Sequence, residues 1–140
     1  TLFIKNSNNI EITMKKILIM LFVTLSGNAW SYDNPQIKSK CFVPEKPNQI
    51  HSCLISSGGG AGGMYTSFQI GKQNYHVEES TMCENEDRCK VSFGSDVANM
   101  LDAKVYYRSL ITNKVINEPK RNNWVCYKQL NGSLHACYLL

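Results

Sequence analysis

The C-terminal stretch reads Trp124-Val125-Cys126-Tyr127-Lys128-Gln129-Leu130-Asn131-Gly132-Ser133-Leu134-His135-Ala136-Cys137-Tyr138-Leu139-Leu140. Asn-Gly between two apolar runs is a strong hairpin signal, because both turn residues tolerate positive φ. With Asn131-Gly132 as a two-residue loop, Leu130 faces Ser133 and the pairs step outward. Cys126 then falls opposite Cys137. Opposed residues in a hydrogen-bonded pair have Cα atoms about 5.5 Å apart, within disulfide reach. The alternation places Val125, Tyr127, Leu134, Ala136, Tyr138 and Leu140 on one face, the expected core face.

Upstream, the same period of two recurs. Residues 50–56 read as a strand. Met64, Thr66, Phe68 and Ile70 share one face of a second strand. Gly71-Lys72 suits a turn into a third strand over 74–79. Residues 90–93 form a further short strand ending at Gly94. Residues 104–111 are rich in β-formers. Ser95 reads as the cap of a short amphipathic helix over 96–103, with Val97, Met100 and Leu101 on one face. Residues 32–40 read as a polar arm, 56–63 as a glycine-rich loop, and 112–123 as a polar connection. The expected class is α+β leaning all-β: a small antiparallel β-rich domain with one short helix, stabilised by disulfides.

The N-terminal part reads as an address. Lys15 and Lys16 follow Met14, then an apolar run covers Ile17 to Leu25, then small residues stand at Ser26, Gly27, Ala29 and Ser31. That is the order of a secretory signal peptide, of bacterial type, over 14–31. Cleavage after Ala29 or after Ser31 satisfies the small-residue rule. The run is too short for a permanent membrane anchor, which needs about 20 residues. Residues 1–13 read as upstream leader outside the fold, and 32–140 as one compact domain. The expected location is therefore exported, periplasmic or secreted.

All six cysteines (41, 53, 83, 89, 126 and 137) fall in the exported part. An even set in a short exported chain implies a disulfide framework. Cys126–Cys137 follows from the hairpin. Cys83–Cys89 closes a small polar loop, and Cys41–Cys53 is the remaining pair. Zinc would need closer Cys/His spacing, such as C-x₂-C.

The 140-residue chain carries 15 Lys+Arg and 11 Asp+Glu, net +4. Removal of Lys5, Lys15, Lys16 and Glu11 with the leader lowers this to +2. That is no nucleic-acid footprint. The charge is uneven: residues 32–89 carry −2 and residues 90–140 carry +4.

Motifs for chemistry are sparse. Gly58, Gly60 and Gly63 match the dinucleotide fingerprint on spacing, but a strand pattern follows them instead of a helix. Glu84, Glu86 and Asp87 do not follow the order of a calcium loop. His76 and Glu78 share a strand face, with Glu79 on the other. His51, His76 and His135 raise a ribonuclease-like hydrolase, which would need two histidines and a lysine in one cleft. No catalytic residue, metal ligand or cofactor is assigned. Lys104, Tyr106 and Arg108 share a strand face and form a basic, aromatic patch suited to an acidic partner. The expected function is a small exported binding protein with a protein or glycan partner, such as an inhibitor or immunity protein, an adhesin or a toxin accessory factor. The alternatives are the histidine hydrolase and a structural envelope or pilus subunit. The latter would show an open sheet edge for a donated strand.

Overall fold

The computed structural model describes residues 31–84, 89–118 and 120–140. The segments read above as upstream leader (1–13) and signal peptide (14–31) lie outside the described residues, except Ser31. Ten strands are present: β1 (Tyr32–Asp33), β2 (Ile37–Phe42), β3 (His51–Gly60), β4 (Gly63–Ile70), β5 (Gln73–Ser80), β6 (Val91–Gly94), β7 (Met100–Arg108), β8 (Val115–Ile116), β9 (Trp124–Gln129) and β10 (His135–Leu139). Every pairing between them is antiparallel.

From β2 to β10, strands pair in chain order, with β8 set aside on β7. The last strand, β10, returns to pair with β2. The result is a closed up-and-down barrel of eight strands, β2 to β7 with β9 and β10. A barrel of this size has an interior just wide enough for side chains to fill. Here Ile55, Phe68, Ile70, Tyr75, Val77, Phe93, Val125, Tyr127 and Ala136 fill it. Tyr75 stacks between Phe68 and Phe93, with ring centroids at 5.3 and 5.8 Å. Tyr127 donates to Glu79 Oε1 at 2.6 Å, and burial pushes its phenol well above the ordinary value. Lysines 38, 40, 104 and 128 stand exposed on the outer face. Apolar inside and charged outside is the reverse of a barrel that spans a membrane. Among the described residues, no helix is long and apolar enough to cross one.

The β-rich reading stands, but the helix over 96–103 does not. Only Val97–Asn99 form a single 3-10 turn, capped by Asp96 and not by Ser95. Asp96 Oδ1 accepts from the Ala98 and Asn99 amides at 2.9 and 3.1 Å. Residues 100–103 pair instead with β6, Met100 opposite Gly94 and Ala103 opposite Val91. A helix there would forfeit that ladder and leave the barrel open. Barrel pairing outweighs local periodicity.

Two segments read as irregular are strands. Residues 32–40 supply β1 and most of β2, which run along one edge of β3. The glycine run 58–60 completes β3, with β1 on one edge and β4 on the other. The sheet needs small residues here. A Cβ on Gly58 would collide with the Tyr32 carbonyl oxygen and crowd the Tyr65 ring. The strand expected over 104–111 ends at Arg108, and the connection 112–123 contains β8.

The disulfides join Cys41 to Cys53, Cys83 to Cys89, and Cys126 to Cys137, with Cα separations of 6.0, 5.1 and 4.1 Å. The C-terminal hairpin keeps the expected register, Cys126 opposite Cys137. Its turn differs. The Gln129 amide donates to the Leu134 carbonyl at 3.0 Å, so the loop has four residues, 130–133. Neither Asn131 nor Gly132 takes a positive φ. The Gln129 side chain folds over Gly132 and accepts from the Leu134 amide at 3.1 Å. Moving the closing bond by one residue shifts the phase of the ladder. Cys126 and Cys137 therefore occupy a narrow, non-hydrogen-bonded pair, where side chains approach more closely. Leu140 does not join the core face and is 57% exposed.

Candidate functional site

Four adjacent strands, β2, β10, β9 and β7, present a continuous outer face. One row across it runs Phe42, Cys137, Cys126, Tyr106. The next row runs His135, Lys128, Lys104. Arg108 lies opposite Trp124 on the other side of the disulfide. Phe42, Trp124 and the Cys126–Cys137 bridge are buried and form a second apolar cluster with Tyr106 and Leu139. Phe42 and Trp124 meet edge to face, with centroids at 4.7 Å. The bridge and this cluster pack the outer row against the barrel.

Beside it lies a cleft of about 440 Å³. The patch residues Lys104, Tyr106 and Arg108 line it together, joined by Lys128, His135 and Glu45. His135 connects the two sides. Its Nδ1 lies 2.8 Å from Glu45 Oε1, and its Nε2 lies 2.6 Å from Tyr106 Oη. Partial burial works to raise the Glu45 carboxyl. The hydrogen bond with His135, a bond to the Glu45 backbone, and the nearby charges of His135 and Lys128 outweigh it, and the group sits below its ordinary value. Burial raises the Tyr106 phenol, against the Arg108 charge and with that of Glu45.

Lys104 and Lys128 stand directly opposite in the β7–β9 ladder. Like charges so placed are destabilising, the less so where solvent screens them. Among the described residues the ion pairs are His76–Glu78, Lys90–Asp102 and His135–Glu45, so Lys104, Lys128 and Arg108 form none. Arg108 Nε donates to the Asn113 carbonyl at 3.0 Å, which fixes its side chain along the rim.

Sequence reasoning grouped Lys104, Tyr106 and Arg108, singled out His135 only for a hydrolase, and missed Glu45 and Lys128. The hairpin register already set Lys128 opposite His135, so Lys128 was within reach. Glu45 was not, because it comes from the β2–β3 loop, 90 residues from His135.

The other histidines lie elsewhere. His76 is on β5, separated from β10 by β6, β7 and β9 around the ring. It shares a broad groove with His51, away from the Tyr106 cleft. His76 Nδ1 is 2.7 Å from Ser67 Oγ, and its Nε2 is 3.4 Å from Glu78 Oε1. This Ser-His-Glu order is reminiscent of a nucleophile relay. Ser67 sits mid-strand between Ser56 and His76, in a ladder that commits the backbone of β4. That placement supplies no turn of free amides to receive an oxyanion. Of the acidic loop, Glu84 is described, while Glu86 and Asp87 lie outside the described residues. Among the described residues no group of three potential metal ligands converges.

Comparison with known proteins leaves the site to be read on its chemistry. No family model matches the chain, and no curated protein or solved structure is significantly similar to it.

Proposed function

We propose that the chain is a small exported binding protein that docks an acidic protein partner on the outer face of its barrel. One observation carries the reading: Lys104, Lys128 and Arg108, which form no ion pair among the described residues, line a single cleft around Tyr106 beside Glu45. Opposed lysines cost the fold stability, and an anionic partner offsets that cost. Tyr and Arg are also the side chains most often dominant in binding interfaces. The three disulfides fit an oxidising compartment, and so does the leader expected over 14–31. A role as inhibitor, immunity protein, adhesin or toxin accessory factor is compatible with such a surface.

The hydrolase alternative keeps one feature, since His51, His76 and Lys38 line one broad groove. But His76 is bonded there to Ser67 and Glu78 and not to His51 or Lys38, and His135 lines a different cleft. A strand-accepting pilus subunit draws little support, since β10 pairs with β2 and β3 with β4, closing the ring.

The test is a capture experiment on envelope extract and culture medium, read by mass spectrometry. The bait is the exported, oxidised protein, beside a Lys104→Glu/Lys128→Glu variant. One dominant acidic protein, retained by the wild type and lost by the variant, is expected. Equal capture by both baits overturns the reading. Capture of an anionic glycan in place of a protein would reassign the partner class.

A further inference from the structure

His135 touches two groups of different hydrogen-bonding character. Glu45 Oε1, at 2.8 Å from Nδ1, is a carboxylate and only accepts, so Nδ1 carries a hydrogen. In the neutral imidazole Nε2 then bears the lone pair. The Tyr106 hydroxyl, 2.6 Å away, donates into it. In that state the single phenolic hydrogen points inward, and only oxygen lone pairs face the cleft.

A second proton on His135 reverses the Tyr106 bond. Nε2–H donates and Tyr106 Oη accepts. The phenolic hydrogen is released and can turn outward, toward the space between Lys104, Lys128 and Arg108. One proton taken from solvent therefore adds a positive charge to the cleft and opens a new donor in it. The charged and titratable groups next to His135 are Glu45 from the β2–β3 loop, Lys128 opposite it on β9, and Tyr106 from β7, with Lys104 and Arg108 lining the same cleft farther off. A protonated, cationic His135 and an anion seated in the same cleft attract one another, so anion and proton favour one another.

We propose that the Tyr106 cleft is a proton-coupled oxyanion site. Lys104, Lys128 and Arg108 supply the charge, and Tyr106 is a hydrogen-bond donor gated by His135. The ligand is a carboxylate or a sulfate-type group presented by the partner. This inference rests on the cleft being the binding face proposed above, and adds the chemistry it recognises. By linkage, whatever factor the anion exerts on proton affinity the proton exerts on anion affinity.

Sulfate is a suitable first probe, because its charge is constant across the histidine range and any pH dependence belongs to the protein. An acetylated tetra-aspartate peptide is the second, for carboxylates. Amide shifts of the exported, oxidised protein are followed by NMR at constant ionic strength, at about pH 5.5 and about pH 8, which bracket histidine titration. Shifts centred on Lys104, Tyr106, Lys128 and His135 are expected. Affinity should be about fivefold or more higher at the lower pH, the low end of ordinary coupling between sites. The probe with the higher affinity identifies the source of the oxyanion.

His135→Gln should bind with little pH dependence. Tyr106→Phe, which keeps the proton site and loses the gated donor, should bind more weakly at the lower pH and show a smaller pH effect. Equal wild-type affinity at both pH values, shifts centred elsewhere, or no binding of either probe overturns the proposal. If these assays fail while Lys104→Glu/Lys128→Glu still abolishes partner capture, the gate is wrong and the binding function stands. If charge reversal leaves capture unchanged, the binding function itself falls.

Discussion

Tyr106 Oη lies 2.6 Å from His135 Nε2, although the two residues are 29 apart in sequence. The bond crosses β9, which separates their strands, and lies beside the Cys126–Cys137 bridge. Tyr106→Phe keeps the ring against Phe42, Trp124 and the bridge and removes only the hydroxyl. A hydrogen bond of this kind contributes about 0.5–1.5 kcal/mol net. Thermal unfolding followed by circular dichroism should show a drop of several degrees. An unchanged midpoint would mean that the bond adds nothing to the fold.

Glu45 carries a pH dependence whose sign is set by its lowered pKa. Partial burial opposes the lowering, and the hydrogen bond with His135 leads the effects that produce it. The native state therefore favours the ionised carboxyl. The stability this contributes is present above the ordinary glutamate value of about 4.3 and is lost as pH falls through the lower, folded value. Denaturant unfolding of wild type and Glu45→Gln should differ at neutral pH and converge in strong acid. The carboxyl is more than half exposed, so the difference should be small and should shrink with salt. A gap that widens in acid would contradict the pairing.

Cys126 and Cys137 tie β9 to β10 at the centre of the outer row. Replacing either with serine removes a bridge worth about 2–4 kcal/mol and leaves a polar group in a buried cluster. A marked fall in melting temperature is expected for Cys126→Ser and for Cys137→Ser. No change would mean that the terminal hairpin is held without the bridge.

Gly58 and Gly71 are glycines for different reasons. At Gly58 a side chain meets the Tyr32 carbonyl, the Tyr65 ring and Asp33. At Gly71 the space is open, but φ is +61°. Gly58→Ala should therefore displace β1 and cost about 1–3 kcal/mol, as overpacking does. Gly71→Ala should cost about 1 kcal/mol for the backbone conformation alone. Equal effects on the unfolding midpoint would count against the close packing of β1 on β3.

Exported material should begin at Trp30 or Tyr32 and contain almost no free thiol. N-terminal sequencing and a thiol titration check both. A start at Thr1 would overturn the signal peptide, and several reactive thiols would contradict the three bridges.

By itself the sequence determined the local pairings. Alternation of apolar residues marked most strands, and the apolar runs around Asn131-Gly132 set Cys126 opposite Cys137. The same alternation put Lys104, Tyr106 and Arg108 on one face. These features depend on neighbours a few residues apart, so periodicity reports them directly. The turn conformation was not legible there, because the Gln129 side chain competes with the backbone for the closing bonds.

Only the tertiary structure decided closure. Gly58–Gly60 and residues 100–103 have weak or contrary strand signals, yet both are strands because each is flanked by strands that need partners. β propensity expresses such surroundings more than an intrinsic backbone preference. The site depends on the same long-range pairing. β7 meets β9 to set Lys104 against Lys128, and the β2–β3 loop brings Glu45 to His135. No local pattern encodes a contact 90 residues long, because the ring of hydrogen-bonded strands creates it.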